Sequence, residues 1–507
     1  MNRDCPAGAG CLLDQDGLGS CALPADHGCA SGAACLTPLV CAADQCVNTC
    51  TSAAQCPSDG ECAAVPALHL SLCVTVDHDA GVVDASTDGA LDAGVSSCAG
   101  GGCDGALAVG LGFACAIRDG VVWCWGDNRR GQLGDGISPT AARAHMQCGT
   151  TGTDAGVGSD DCSAVPVMVR REDGSPLQAS AVACSDEAAC AITIDGDIAC
   201  WGGRGLVPES GDAASPTPQQ AHVVSAFGRS FVQLVAGAEY FCATKGTGGS
   251  TGAYCWGSDD HGQFGTGDAD HTAGEGIVPA GAAWARATLA AGSHLTCMLD
   301  GTAVSCAGQD DNGGVGPMGT IPADRTTPAL VPFTTGGHAT RLVAGDGFAC
   351  ALLSDDQSLQ CWGWGASGSL GRDAVVDQCA MAGTAVSPCD SVPSRVAPST
   401  TFDGLWSGGD TSNACARDTN GQMWCWGYLG PSDCPFSGTH CHAPERAAPF
   451  DGALTVAMGA DTMCALFAGG RVACVGYGDL GQLGGGQLVP RTTITRTAVA
   501  VCFTGGC

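Results

Sequence analysis

The stretch Phe113–Gly136, FACAIRDGVVWCWGDNRRGQLGDG, decides how this chain folds. Cys115 and Cys124 are symmetric about Asp119 and Gly120, and Asp-Gly between two apolar runs is a strong short-range signal for a two-residue hairpin turn. Such a turn pairs Arg118 with Val121, Ile117 with Val122 and Ala116 with Trp123, and it sets Cys115 opposite Cys124. Directly opposed positions on antiparallel strands stand about 4.5–5.5 Å apart at Cα, within reach of a disulfide. The two sulfurs are therefore expected to close the hairpin.

The same pair recurs along the chain as Cys190 with Cys200, Cys242 with Cys255, Cys297 with Cys306, Cys350 with Cys361, Cys415 with Cys425, and Cys464 with Cys474. The spacing varies from 9 to 13 residues, and the extra residues fall in turn segments such as KGTGGSTGA, Lys245–Ala253. A metal knuckle would not tolerate that variation, whereas a hairpin absorbs it in the loop. After the second Cys the chain usually continues Trp-Gly, at Trp125, Trp201, Trp256, Trp362 and Trp426, with Ala307 and Val475 in the fourth and seventh copies. These indoles have two readings, a ladder that stacks a ligand or packing between repeats, and repetition at one structural position favours packing.

Each copy is preceded by a short apolar strand such as LVAG at Leu234 and Leu342, LAAG at Leu289 or VAMG at Val456. Several copies are followed by a Gly-x-x-Gly turn, GQLG from Gly131, GQFG from Gly262, GSLG from Gly368 and GQLG from Gly481. Pro-bearing strand candidates run between copies, VPVMV from Val165 and LVPF from Leu330, and Pro belongs at strand starts and sheet edges. Four strands in a repeat of roughly 50 residues is propeller arithmetic. The first copy lacks a preceding Pro-bearing strand and the last is followed by an extra one, Val489–Val501, which is expected to complete the first blade and lock the ring.

Strand, Asp-Gly turn, Cys-Trp-Gly and Gly-Gln-Leu-Gly in fixed order over about 107–501 resemble the regulator of chromosome condensation repeat, of BNR type, in a Cys-paired bacterial form. The resemblance implies an all-β fold, a seven-bladed β-propeller, here with a small disulfide-rich N-terminal region. Family relatives include a guanine-nucleotide exchanger for a small GTPase that docks on nucleosomes. They also include a secreted bacterial inhibitor that clamps a β-lactamase with one propeller face. The second supplies the better model for mode of action.

The expected domains are a Cys-rich disulfide-stabilised region at 1–73, an Asp/Ala/Gly-rich flexible linker at 74–97, and the propeller at 98–507. The first region has too few large apolar side chains to form a core, so disulfides must hold it, and their connectivity cannot be read from spacing. Paired CxxC knuckles for zinc are absent there, and neither Asp14, Asp16 and Gly17 nor the acidic linker completes a calcium loop. The segment Cys5–Cys73 holds eleven Cys, an odd number. Either a partner or lipid-anchor Cys lies upstream of a misassigned Met1, or the odd one pairs with Cys184, which stands outside the hairpin pattern.

The 36 Cys would all have to be kept reduced in a cytosol, so an oxidising compartment is expected: extracellular or at the outer surface of a bacterial cell envelope. The chain has 51 acidic and 20 basic residues, a net charge of −31, which repels phosphate backbones and excludes nucleic acid as a natural partner. No run of 18 apolar residues occurs, so membrane attachment is expected only through an N-terminal lipid anchor.

No H-E-x-x-H or P-loop is present, no G-x-S-x-G forms a nucleophile elbow, no dinucleotide fingerprint is placed between strand and helix, and no catalytic residue, metal ligand or cofactor is expected. His440, Cys441 and His442 lie close together, but Cys434 with Cys441 reads more simply as a loop disulfide. Cys98 with Cys103, Cys148 with Cys162, Cys379 with Cys389, and Cys502 with Cys507 read the same way. The stapled insertions Thr140–Ala164 and Ala374–Pro393 would present a rigid surface at reduced entropic cost. A monomeric binding or adhesion scaffold for a protein or envelope ligand, with inhibition of a secreted enzyme as one form, is the leading expectation. A polysaccharide lyase or hydrolase with carboxylates around the propeller axis is the second, and GTPase exchange the third. Carboxylates converging in one deep, dry pocket would favour the second.

Overall fold

The computed structural model describes six short strands between Gly10 and Thr75 and, from Leu107 to Phe503, the chain apart from a set of connecting loops. The chain divides into two compact units, Met1–Asp88 and Gly89–Cys507. The first contains three antiparallel hairpins whose registers set Cys11 opposite Cys21, Cys41 opposite Cys46, and Cys62 opposite Cys73. Whether these sulfurs bond, and everything at 76–106, lies outside the described residues.

The second unit is a ring of seven antiparallel sheets. The first blade runs from the inner strand Leu107–Val109 through Phe113–Arg118 and Val121–Asp127 to the outer strand Asp161–Met168. The hairpin register is the one the Asp-Gly turn dictates, with Cys115 opposite Cys124 and Arg118 opposite Val121. Asp119 and Gly120 both take positive φ, 52° and 74°, the requirement of a type I′ turn whose twist matches the strands it joins. Six further sheets repeat the order, with inner strands Ala179–Cys184, Phe231–Ala236, Thr288–Ala291, Ala339–Ala344, Phe402–Ser407 and Ala453–Met458.

The sulfurs of all seven hairpins are bonded, with Cα separations of 4.0–4.1 Å. Consecutive strand residues point to opposite faces of a sheet, and the Cys-Trp dipeptide uses this to tie the ring together. The Cys115–Cys124 pair packs into the apolar layer between blades 1 and 2, where Trp201 of blade 2 meets it. The Cys190–Cys200 pair meets Trp256 between blades 2 and 3. The scheme continues around seven such layers, the last of which joins blade 7 to blade 1 through Cys464, Cys474 and Trp125.

Each of these five indoles is fully buried. In four of them the N–H reaches back to the Gly-x-x-Gly loop of the preceding blade, Trp201 donating to the Gln132 carbonyl at 2.8 Å and Trp426 to that of Ser369 at 2.8 Å. Trp362 donates likewise to Gly314, and Trp125 crosses the ring seam to Gln482. The indoles are interblade packing, not a surface ladder. Where blade 4 has Ala307 and blade 7 has Val475, those smaller side chains fill the same layers.

The ring does not close in the way the surplus strand suggested. Thr495–Ala500 pairs with Val472–Gly476 as the outer strand of blade 7, and blade 1 obtains its outer strand from Asp161–Met168. Every Pro-bearing strand pairs with the Cys-Trp strand that precedes it, so the repeat is already in phase with the blade and no strand remains to exchange. Closure is made by side-to-side contact instead. The Gly486 amide donates to the Ala164 carbonyl at 2.8 Å, and Phe503 packs edge-on against Trp123 and Trp125.

Candidate functional site

The inner strands end in a collar of tight turns around the ring axis. Six turns have three residues: Gly110–Gly112, Ser185–Glu187, Gly237–Glu239, Gly292–His294, Gly345–Gly347 and Gly459–Asp461. Neighbouring turns touch backbone to backbone. A side-chain carbon at Gly459 would overlap the Gly110 carbonyl, and one at Gly292 would overlap that of Gly345, so glycine is required where the collar closes. Below the collar lies an axial channel of about 140 Å³ whose walls include Leu234, Leu289, Leu342, Trp406 and Met458. No carboxylate is among its lining residues.

The sixth turn, Gly408–Ser412, has two extra residues and spans the channel mouth. Gly409 packs so closely on Ala236 and Gly237 of blade 3 that a β-carbon there would overlap the Ala236 carbonyl. Ser293 of blade 4 donates its hydroxyl to Asp410 at 2.7 Å, and the Asp346 amide of blade 5 donates to the Thr411 carbonyl at 2.8 Å. Asp186 of blade 2 is tied to the neighbouring collar turn, its amide donating to the Ala238 carbonyl of blade 3 at 3.0 Å. Burial, reinforced by the nearby charges of Asp410, Glu239 and Glu187, pushes the Asp186 carboxyl up to about 8. Asp346 is raised as well, by burial first and then by Asp410.

The same end of the ring carries the long insertions. Because strands alternate in direction, the connections from the third to the fourth strand leave each blade on the collar side. In blade 1 this connection returns as Met146–Gln147, a fifth strand on the outer edge, and in blade 5 Asp377–Ala380 does the same. The first is fixed by the Cys148–Cys162 disulfide and by His145, which contacts Asp135 at 2.8 Å and Asp161 at 3.3 Å. Those two carboxylates raise His145 to about 9.

Cys389 and Cys502 are disulfide-bonded. Cys98, Cys103, Cys434, Cys441, Cys507 and the side chain of Cys379 lie outside the described residues. Cys184 is a buried free thiol in the layer between blades 1 and 2, raised in pKa by burial. His442 is described and meets Tyr428 edge to face at 6.2 Å. Among the described residues no group of His, Cys, Asp and Glu is arranged to hold a metal ion, and no helix is long and apolar enough to cross a membrane.

With this geometry in place, known proteins are informative. The crystal structure of human WBSCR16 superposes with a TM-score of 0.58 at 18% identity, covering 76% of this chain and 95% of that one. Yeast RCC1 (Prp20), bound to Kap60, gives 0.54 at 18% identity over 70% of this chain and 78% of that one. The chain has an RCC1-like seven-bladed propeller fold. In sequence, this RCC1-like propeller is 24% identical over 310 residues to the ultraviolet-B receptor UVR8 of Arabidopsis thaliana, covering 54% of this chain and 68% of that protein. No protein-family model matches the sequence.

Sequence reasoning about the RCC1-like ring missed Asp186, Ser293, Asp346 and Asp410, which come from four different copies, and His145. It also read Gly-Gln-Leu-Gly as a glycine turn alone. The glutamine is a buried clamp: Gln132, Gln263 and Gln482 each accept the amide two residues upstream, at 2.8, 3.0 and 2.8 Å. Its return at one position in three copies was the available signal.

Proposed function

We propose that this chain is a non-catalytic member of the RCC1 repeat family, a monomeric protein-binding or adhesion scaffold at the outer surface of a bacterial envelope or released from it. Inhibition of a secreted enzyme is one form of that role. The observation that carries the reading is that the collar and both inserted edge hairpins share one face, with the blade 1 hairpin tied by Cys148–Cys162 and His145. A surface ordered before contact loses less conformational entropy on binding. The hairpin bonds support an oxidising location, and a net charge of −31 disfavours nucleic acid.

Three carboxylates do converge at the collar, the arrangement that would favour a polysaccharide lyase or hydrolase. Asp410 is occupied by the Ser293 hydroxyl, however, and the channel lining contains none of the three. Exchange on a GTPase is disfavoured by the bonded sulfurs. Crystallographic work on Prp20p from Saccharomyces cerevisiae addresses its binding to Gsp1p and histones, and that partnership is not carried over.

Immobilised protein is expected to retain a discrete protein from envelope extract. Replacing 374–385, the part of the insertion that precedes the outer strand Val386–Val396 of blade 5, by a short Gly-Ser turn is expected to reduce that retention at least tenfold with the propeller still folded. Equal retention by both forms would contradict the assignment of the binding face.

A further inference from the structure

Two of the seven layers between blades are plugged by a phenyl ring that follows an outer strand. In blade 7 the Val501 amide donates to the Val472 carbonyl, and two residues later Phe503 packs edge-on against Trp125 of blade 1, with ring centres 5.9 Å apart. In blade 4 the Val331 amide donates to the Val304 carbonyl, and two residues later Phe333 meets Trp362 of blade 5 edge-on, also at 5.9 Å. Blade 5 keeps the same register. Val396 pairs with Leu359, which stands two residues before Cys361, as Val304 and Val472 stand two before Cys306 and Cys474. Two residues after Val396 the sequence has Pro398, so that position supplies no aromatic ring to the layer between blades 5 and 6.

A cleft of about 490 Å³ lies at the margin of this layer. Ala397 lines it from blade 5, and Phe402, Trp424 and Pro444 line it from blade 6. Trp424 is half-buried there, whereas Trp426, two residues on, is sealed. The outer strand of blade 5 ends and the inner strand of blade 6 begins at the end of the ring remote from the collar, and the cleft lies at that end.

The charged residues of the lining are Arg372 and Arg395, and no acidic side chain is among them. Arg372 is fixed in place by Asp390 at 2.6 Å and by the carbonyls of Leu370, Ser394 and Cys361. Arg395 pairs with Asp356 and keeps 37% of its side chain exposed. The Nε–H of each is buried and has no acceptor among the described residues. In a chain of net charge −31, a cleft lined by two guanidinium groups and no carboxylate is a local reversal of sign.

We propose that this cleft is a binding site for a small aromatic carboxylate, whose ring takes the place of the missing phenyl plug beside Trp424 and Phe402 while its carboxylate faces Arg395 and Arg372. Aromatic rings packed edge to face contribute beyond the area they bury, and the two plugged layers show that packing. The planar donor set of a guanidinium matches a carboxylate, and partial shielding from water strengthens the attraction. The volume is in the range of small-molecule sites. A neutral ring lacks the second half of this match and an aliphatic acid lacks the first. The site is independent of what the collar face binds.

A ligand-observed NMR titration of the intact protein with 3-phenylpropionate tests the site. Saturable binding is expected, with a Kd of about 0.1–5 mM, the scale usual for a ligand of that size. The neutral 3-phenylpropionamide keeps the ring without the charge, and butyrate keeps the charge without the ring; each is expected to bind at least tenfold more weakly. Arg395→Gln and Trp424→Leu are each expected to weaken 3-phenylpropionate binding at least tenfold in protein shown by thermal unfolding to be folded during the titration. Arg395 is partly exposed, so its variant reports even should Trp424→Leu fold poorly. No saturable binding, unaltered binding in either folded variant, or equal binding of the acid and either comparison compound would overturn the proposal.

Discussion

Unfolding in the presence of a thiol reductant is expected to lower the melting temperature of this protein by roughly 20 °C or more relative to unfolding without it. Each hairpin bond closes a loop of 9 to 13 residues. In the chain-entropy model such a crosslink stabilises by about 3 kcal/mol, chiefly by restricting the unfolded chain. Seven of them nominally exceed the whole stability of an ordinary domain, about 5–15 kcal/mol, and although they do not add fully, their joint loss is the largest perturbation available. The sulfurs are completely buried, so reductant attacks the unfolded chain and draws the equilibrium toward it. A melting temperature that does not move would show that the crosslinks contribute little.

The second large effect is expected at Trp426. Its indole is fully buried between blades 5 and 6 against Phe348, Phe402 and Leu405, and its N–H satisfies the Ser369 carbonyl. Trp426→Ala removes the largest side chain of that layer and strands a buried carbonyl. Losses of about 3–5 kcal/mol accompany such truncations, corresponding here to a fall in melting temperature of roughly 5–10 °C. Trp424 lies two residues away on the same face of the strand, half-buried at the margin of the same layer with Arg446 over its ring, and Trp424→Ala should cost distinctly less. Equal effects at both positions, measured by thermal unfolding, would contradict the interblade role.

These two predictions rest on the part of the molecule that was legible in the sequence. A two-residue Asp-Gly turn fixes register by local geometry, so Cys115 had to face Cys124 whatever the rest of the chain did. Strict alternation along the strand then sends Cys and Trp to opposite interblade layers, which is why the dipeptide repeats.

What was not legible depends on three-dimensional convergence. Asp186, Ser293, Asp346 and Asp410 are spread over more than two hundred residues and meet only because a ring brings every inner turn to one axis. Nothing local distinguishes GGDTS at Gly408–Ser412 as a strap; its added length matters only because the opposite blades lie within reach. Ring closure was misjudged for a related reason. An unmatched strand at the end of the sequence looked like a missing piece of the first blade, whereas pairing partners show that it completes its own. The His145 contacts depend on how the blade 1 insertion folds back, and spacing does not determine that.

Peptide mapping of the unreduced protein by mass spectrometry tests the central claim most directly, that seven hairpins are each tied across by their own sulfur bridge. The expected result is seven crosslinked peptide pairs, Cys115 with Cys124, Cys190 with Cys200, Cys242 with Cys255, Cys297 with Cys306, Cys350 with Cys361, Cys415 with Cys425, and Cys464 with Cys474. Free thiols at these positions, or bonds that join one blade's Cys to another's, would contradict it.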